Sequence, residues 1–208
     1  MNIVVTGAAG FIGKNLCLKL QEHGFHNVIQ INRKTPKKNV HLHLSNADFI
    51  FHLAASNRPD DELEFQTQNV DLTNFVVDTL IECGRYVPIV LTSSTQVDQD
   101  NLYGQSKLVS EEIVKRYSKN TGAPCYIYRL PNVFGKWCSP NYNSFVATFC
   151  HNIMNNIDIL IHDKNAKVKL VYIDDVCESL LGALFKKHKA GFVNVGTEYS
   201  TTVSKVAE

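Results

Sequence analysis

The segment Gly7-Ala8-Ala9-Gly10-Phe11-Ile12-Gly13 constrains this chain more than any other stretch. It follows an apolar run over residues 2–6 and opens a helical pattern over residues 11–23. The spacing G-x-x-G-x-x-G between a strand and a helix has a physical reading. Backbone N–H groups can turn toward an anion, a diphosphate can approach without meeting a Cβ, and the helix can pack close to the strand. The helix N-terminus adds its partial positive charge. Glycines alone suit any turn, but this strand–turn–helix context is the one the motif requires.

The rest of the chain continues the same alternation. Strand patterns fall at residues 2–6, 27–32, 48–53, 87–93, 125–130, 167–173 and 192–195, and several are near-continuous apolar runs. Such runs suit parallel strands covered on both faces. Helical patterns fall at 11–23, 69–83, 103–120, 142–155 and 174–187. Gly24, Gly84 and Gly122 stand where C-terminal caps are wanted. The pattern predicts an α/β fold, a doubly wound parallel sheet of the Rossmann type. It divides into a dinucleotide-binding part over residues 1–135 and a smaller region over 136–208. The last helix of that region starts at Thr201 and reads as incomplete.

The segment between the second and third strands is short. His41 and His43 alternate with Leu42 and Leu44, which reads as a short strand. No third ligand is near in sequence, so no metal site is expected. The 208 residues carry 44% apolar and 20% charged residues and a net charge of +1, which gives no support to nucleic-acid or membrane-surface binding. No apolar run approaches a membrane span, and the N-terminus lacks a signal pattern. The six cysteines are scattered without zinc spacing. A cytoplasmic chain with reduced thiols is the simplest expectation.

Two constellations carry chemistry. The second strand ends at Ile31-Asn32-Arg33-Lys34, where an NAD site usually places an acidic residue for the ribose hydroxyls. No carboxylate stands there to repel a 2′-phosphate, and Arg33 can fork onto one, so NADP is favoured; a solvated basic loop reads the same way. The fourth strand ends at Ser93 and Ser94, and Tyr103 and Lys107 follow at the start of a helix, four apart on one face. An ammonium beside a phenol is expected to lower the tyrosine pKa.

Thr6–Gly13, His52-Leu53-Ala54-Ala55, Ser94, Tyr103 with Lys107, and Arg129-Leu130-Pro131-Asn132-Val133-Phe134-Gly135 together resemble the extended short-chain dehydrogenase/reductase family. So do Asp48 and the run Val171-Tyr172-Ile173-Asp174-Asp175-Val176. The resemblance covers nearly the whole chain. It implies a cofactor held by Gly7, Gly10, Phe11, Ile12, Gly13, Asn32, Arg33, Lys34, Leu53, Ala54, Ala55, Asn69, Tyr103, Lys107 and Leu130. It implies Ser94, Tyr103 and Lys107 as catalytic residues. It implies a nucleotide-sugar substrate near Ser94, Thr95, Gln96, Asn132, Lys136, Trp137, Asn141 and Tyr142.

The stretch from Tyr126 to Ser144, with the Asn57-Arg58-Pro59 turn, is further similar to bacterial capsular-polysaccharide reductases on the UDP-N-acetyl-L-fucosamine route. Those enzymes join a reductase domain to a cupin domain, and this chain stops at Glu208. The similarity implies NADPH-dependent reduction of a keto group on a UDP-linked 6-deoxy-amino-sugar. An epimerase or dehydratase that recycles its cofactor is the alternative, although Thr95-Gln96 stand where a dehydratase carries an acidic pair. A non-catalytic NADP sensor is a third reading, disfavoured by the Tyr–Lys pair. Val70, Leu72, Phe75, Val76, Val77, Leu80 and Ile81 exceed one buried stripe, which predicts a homodimer through helices 69–83 and 103–120.

Overall fold

The computed structural model describes residues 1–142 and 144–208. Its first half runs β1 (Ile3–Thr6), α1 (Phe11–Glu22), β2 (Val28–Ile31), α2 (Lys37–Ser45), β3 (Phe49–His52), a π-helical segment (Phe65–Asp71), α3 (Leu72–Glu82) and β4 (Ile89–Ser94). A 3₁₀ turn (Thr95–Asp98), α4 (Leu102–Thr121), β5 (Cys125–Leu130), β6 (Asn132–Phe134) and α5 (Phe145–Met154) follow. The chain continues with β7 (Lys167–Tyr172), α6 (Ile173–Leu184), β8 (Gly191–Phe192), β9 (Tyr199–Thr202) and α7 (Val203–Ala207).

Six strands form a sheet in the order β2-β1-β3-β4-β5-β8, and every pairing is parallel. Alternate residues of each strand feed opposite faces. Ile3 and Val5 of β1 pack with Leu16 and Leu20 of α1 and with Leu180 and Leu181 of α6. Val4 joins Leu44 of α2, Val76 and Leu80 of α3, and Ile113 and Tyr117 of α4 on the other face. The sheet is therefore doubly wound, and the chain reverses its direction of winding between β1 and β3. In open sheets of this kind the crevice at that reversal, above the carboxyl ends of the strands, receives ligands. A second sheet, β6-β7-β9, has one parallel and one antiparallel pairing.

The expected strand at His41–His43 is absent: residues 37–45 are helical. Val40 and Leu44, four apart, are buried on one face while Leu42 is exposed, so the helical spacing prevails over the His/Leu alternation. The helix expected from Thr201 begins only at Val203. Thr201 and Thr202 pair with Val168 and Lys167 as the end of β9, and Thr202 Oγ1 then accepts from Lys205 N at 3.4 Å. Gly24, Gly84 and Gly122 do follow α1, α3 and α4. Among the described residues, no helix is long and apolar enough to cross a membrane.

Candidate active site

A cleft of about 1070 Å³ opens above the carboxyl ends of β1, β3, β4 and β5. Of the residues singled out from the sequence, Gly7, Gly10, Phe11, Ile12, Gly13, Asn32, Arg33, Lys34, Leu53, Ala54, Ala55 and Leu130 line it. Ser94, Gln96, Tyr103, Lys107, Asn132 and Tyr142 line the same cavity.

One end of the cleft is a backbone cradle. Gly7 has φ +69°, and a Cβ there would lie 2.7 Å from Ala54 N; a Cβ on Gly13 would overlap the Gly7 carbonyl oxygen. Lacking a Cβ, Gly7 lets the β1 turn lie against Ala54, and Gly13 lets α1 lie against the β1 turn. Gly10 begins α1 with no side-chain cap, so the helix presents its first N–H groups and positive dipole end to the cleft. A cradle that any Cβ would fill, at an uncapped helix N-terminus, fits the diphosphate of a dinucleotide.

The rim next to it is cationic. Asn32 Oδ1 accepts from Lys34 N at 2.9 Å, which turns the chain after β2 and leaves Arg33 67% exposed at its tip. Arg33 Nη2 lies 3.5 Å from Glu64 Oε2. Lys37 and Arg58 also line the cleft, with Lys37 Nζ 4.9 Å from the centre of the Phe75 ring. Neither stands out as a contact from the sequence alone. Arg58 lies in the Asn57-Arg58-Pro59 turn, and that turn was the available signal.

The other end holds the Ser–Tyr–Lys group. β4 is buried along its whole length and delivers Ser94 to the cleft floor. Ser94 Oγ accepts from Gln96 N at 3.2 Å, capping the 3₁₀ turn. Asn101 Oδ1 accepts from Gly104 N at 2.7 Å and starts α4. Gly104 lets α4 approach that turn: a Cβ there would overlap the Gln96 carbonyl oxygen. The first turn of α4 thus sets Tyr103 beside Ser94, and Lys107 lies one turn on, buried.

The electrostatics differ from the sequence expectation. Burial pushes the Tyr103 phenol above its ordinary value of 10, against a smaller downward pull from a hydrogen bond with Ser94. Burial also pushes Lys107 down to about 8, against the upward pull of Glu111. Desolvation penalises both charged forms, so the pair does not generate a phenolate at neutral pH. Tyr103 is a protonated phenol beside an ammonium, the state suited to giving a proton rather than taking one. His52 beneath them is neutral, driven to about 3 by burial and then by Lys107. Its ring nitrogens lie 2.8 Å from Thr6 Oγ1 and 2.9 Å from Thr73 Oγ1.

Several expected contacts do not reach the cleft. Asn69 is buried behind it: its Nδ2 donates to Ser56 O at 3.0 Å and Ser106 Oγ at 2.9 Å, and its Oδ1 accepts from Ser56 N at 2.7 Å. It braces the 56–64 segment against α4. Thr95 borders a smaller polar pocket of about 260 Å³ with Ser94, Gln96, Gln99 and Asn132. Lys136 and Trp137 turn outward; Trp137 is 48% exposed with φ 67°, and Lys136 Nζ sits 4.2 Å from the centre of its ring. Asn15 Nδ2 holds the Lys136 carbonyl at 2.9 Å. The Asn141 backbone N–H donates to Thr148 Oγ1 at 2.8 Å. Asn143, within the stretch compared above, lies outside the described residues.

A dinucleotide cradle leading along one crevice to a Ser–Tyr–Lys group defines a class of nucleotide-dependent α/β proteins. The chain belongs to the NAD dependent epimerase/dehydratase family, whose model matches residues 3–196. It is 44% identical over 209 residues to the UDP-2-acetamido-2,6-beta-L-arabino-hexul-4-ose reductase of Pseudomonas aeruginosa, a match covering 100% of this chain and 56% of that protein. The capsular polysaccharide assembling protein CapF from Staphylococcus aureus superposes with a TM-score of 0.88 at 40% identity, over 99% of this chain and 56% of that one. A Thermus thermophilus UDP-glucose 4-epimerase in complex with NAD has a TM-score of 0.83 at 21% identity, over 100% of this chain and 81% of that one, and shares the fold. The chain spans little more than half the length of the first two.

Proposed function

We propose that this chain is the reductase portion of an enzyme that uses NADPH to reduce a keto group on a UDP-linked 6-deoxy-amino-sugar in capsule or surface polysaccharide synthesis. The observation that carries this reading is the convergence of Ser94, Tyr103 and Lys107 in the cleft that begins at the glycine cradle. Likeness to the P. aeruginosa reductase and to CapF supports the substrate class. Residues 1–135 serve the cofactor, and residues 136–208, with Asn132, serve the sugar nucleotide.

In this reading Gly7, Gly10 and Gly13 hold the diphosphate, and Arg33 with Lys34 takes the 2′-phosphate. The cofactor, when bound, supplies a hydride. Ser94 and Tyr103 donate hydrogen bonds to the sugar carbonyl oxygen, and Tyr103 gives its proton as that oxygen becomes an alkoxide. Lys107 holds the nicotinamide ribose in its ammonium form and stabilises the phenolate left on Tyr103. Gln96, not a carboxylate, lines the cleft just after Ser94, and this favours reduction over elimination. Stoichiometric oxidation of NADPH on adding a UDP-linked 4-keto-6-deoxy-amino-sugar tests the reading in the full-length protein. Turnover of the sugar with no net loss of NADPH would replace it with cofactor-recycling epimerisation.

The NADP preference has its own expected result. Arg33→Ala weakens NADPH by roughly 1–3 kcal/mol, a lost charge-assisted contact, and leaves NADH almost unchanged. Fluorescence titration of both cofactors checks it, and equal NADPH and NADH affinities in the unmodified protein would contradict it.

Assembly as a homodimer rests on α4 more than on α3. Val70, Val76, Val77 and Leu80 are buried in the core, and Leu72 and Phe75 line the cleft, so the subunit itself absorbs most of the excess seen in the sequence. On α4, Leu108 and Val109 are 39% and 45% exposed, and Ile81 at the end of α3 is 43% exposed. A dimer through these helices predicts that Leu108→Glu with Val109→Glu yields a monomer. Sedimentation at micromolar concentration decides it; a monomeric unmodified protein would rule the dimer out.

A further inference from the structure

Glu111 is a carboxylate with no part in the chemistry above, yet it is 0% exposed. It stands on α4 one helical turn after Lys107. Its oxygens collect three short hydrogen bonds: Ser93 Oγ donates at 2.6 Å, Arg129 Nε at 2.9 Å and Arg129 Nη2 at 2.8 Å. The Arg129 guanidinium lies 4.7 Å from the centre of the Phe192 ring, and its Nη1 is 3.6 Å from Asp98 in the 3₁₀ turn. Lys115 Nζ reaches Glu111 from the rim at 3.9 Å. One side chain therefore joins the end of β4, the helix that carries Tyr103 and Lys107, and β5. A buried carboxylate so fully paired is costly to place and costly to break. An apolar residue would fill the same space without that cost.

We propose that Glu111 is a positioning residue of this site: it clamps the end of β4 to α4 and β5 one helical turn beyond Lys107, and its charge acts on that lysine. The proposal deepens the reading above, in which Lys107 holds the cofactor ribose. The groups around Lys107 leave this task to Glu111. On its own helix stand Tyr103, protonated, and Glu111. From β3 comes His52, neutral in this setting. β4 contributes the hydroxyls of Ser93 and Ser94. The π-helical segment contributes Asn69, bound to Ser106, and Asp71, held by Gln66 Nε2 at 2.7 Å toward solvent. Arg129 and Asp98 meet on the far side of Glu111. Burial drives Lys107 toward its neutral form, and the Glu111 charge opposes that drive. Without it the lysine would lose its proton closer to neutral pH.

The test is NADPH binding by fluorescence titration between pH 6.5 and 9.5, which needs no sugar substrate. In the unmodified protein, affinity falls as pH rises through about 8, where Lys107 loses its proton. Glu111→Gln keeps the shape and most hydrogen bonds but not the charge, and moves that fall roughly one pH unit lower. Ser93→Ala keeps the charge and leaves the midpoint in place, although affinity drops at every pH. A purely structural role for Glu111 would give that second pattern in both variants. If Glu111→Gln does not fold, Glu111→Gln with Arg129→Met removes both charges together, and a smaller shift in the same downward direction is expected, because loss of the more distant Arg129 cation offsets part of it. Coincident midpoints for the unmodified protein and either charge-removing variant overturn the proposal. Failure of the unmodified protein to bind NADPH at any pH overturns the functional reading, and this proposal with it.

Discussion

Tyr103→Phe is expected to lower turnover of a keto-sugar nucleotide by about 10²–10⁴-fold, the usual worth of a positioned general acid. Fold and NADPH affinity should be almost unchanged. The ring keeps its place, including its tilted contact with Phe65 at 6.0 Å, and only a hydroxyl is lost. Lys107→Met should damage both binding and turnover. Ser94→Ala should cost turnover less than Tyr103→Phe, because it orients the carbonyl without supplying the proton. The pH profile follows from the same electrostatics. Tyr103 remains protonated past 10, whereas Lys107 changes charge at about 8. Activity should therefore hold below about pH 8 and fall above it. Steady-state kinetics on the full-length protein checks each point. If Phe at position 103 leaves more than about a tenth of the rate, Tyr103 is not the acid.

Gly104→Ala is expected to lose on the order of 100-fold in turnover, although residue 104 is not among the residues that line the cleft. A methyl at 104 meets the Gln96 backbone carbonyl, which has no rotamer by which to yield. Either α4 or the 3₁₀ turn must move. α4 carries Tyr103 and Lys107, and the turn is capped by Ser94, so any displacement alters the distance between proton donor and carbonyl anchor. Overpacking of this kind also costs about 1–3 kcal/mol of stability. Thermal unfolding and turnover measured together check it. Unchanged turnover with lowered stability would show that the Ser94–Tyr103 spacing does not depend on this contact.

What the sequence disclosed follows from where the information lies. β4 and β5 are legible because parallel strands covered on both faces favour near-continuous apolar runs, and residues 87–93 and 125–130 approach this, Arg129 being the charged exception. The cradle is legible because its glycines are local to one turn. At α2 the four residues of His/Leu alternation resemble a strand, while burial selects Val40 and Leu44 on one helical face. β6 and β9 are short and half-exposed, and each is defined by pairing with β7 rather than by its own pattern. Lys136 and Trp137 look like ligand contacts in sequence, but the positive φ at Trp137 and the Asn15 bond to the Lys136 carbonyl turn that loop outward. Lys37 and Arg58 reach the cleft from separate segments, and only tertiary structure brings them together.

The pairing of β8 with β5 has a consequence for the growing chain. Tyr126 and Ile127 take Gly191 and Phe192 as their partners on the outer side, and Val193 and Val195 fill the same core as β1 and β3. Between these two halves of one sheet lies the excursion through β6, α5, β7 and α6. A ribosome that has released residues only as far as Tyr142 has delivered every described residue that lines the cleft. The nascent polypeptide nevertheless still displays β5 as an open edge, the kind of surface on which strands of other chains can add. Synthesis of Phe192 closes that edge and brings up the ring that stacks on Arg129. Vulnerability to misassembly is thus concentrated in the interval between making the cleft and making two residues far beyond it.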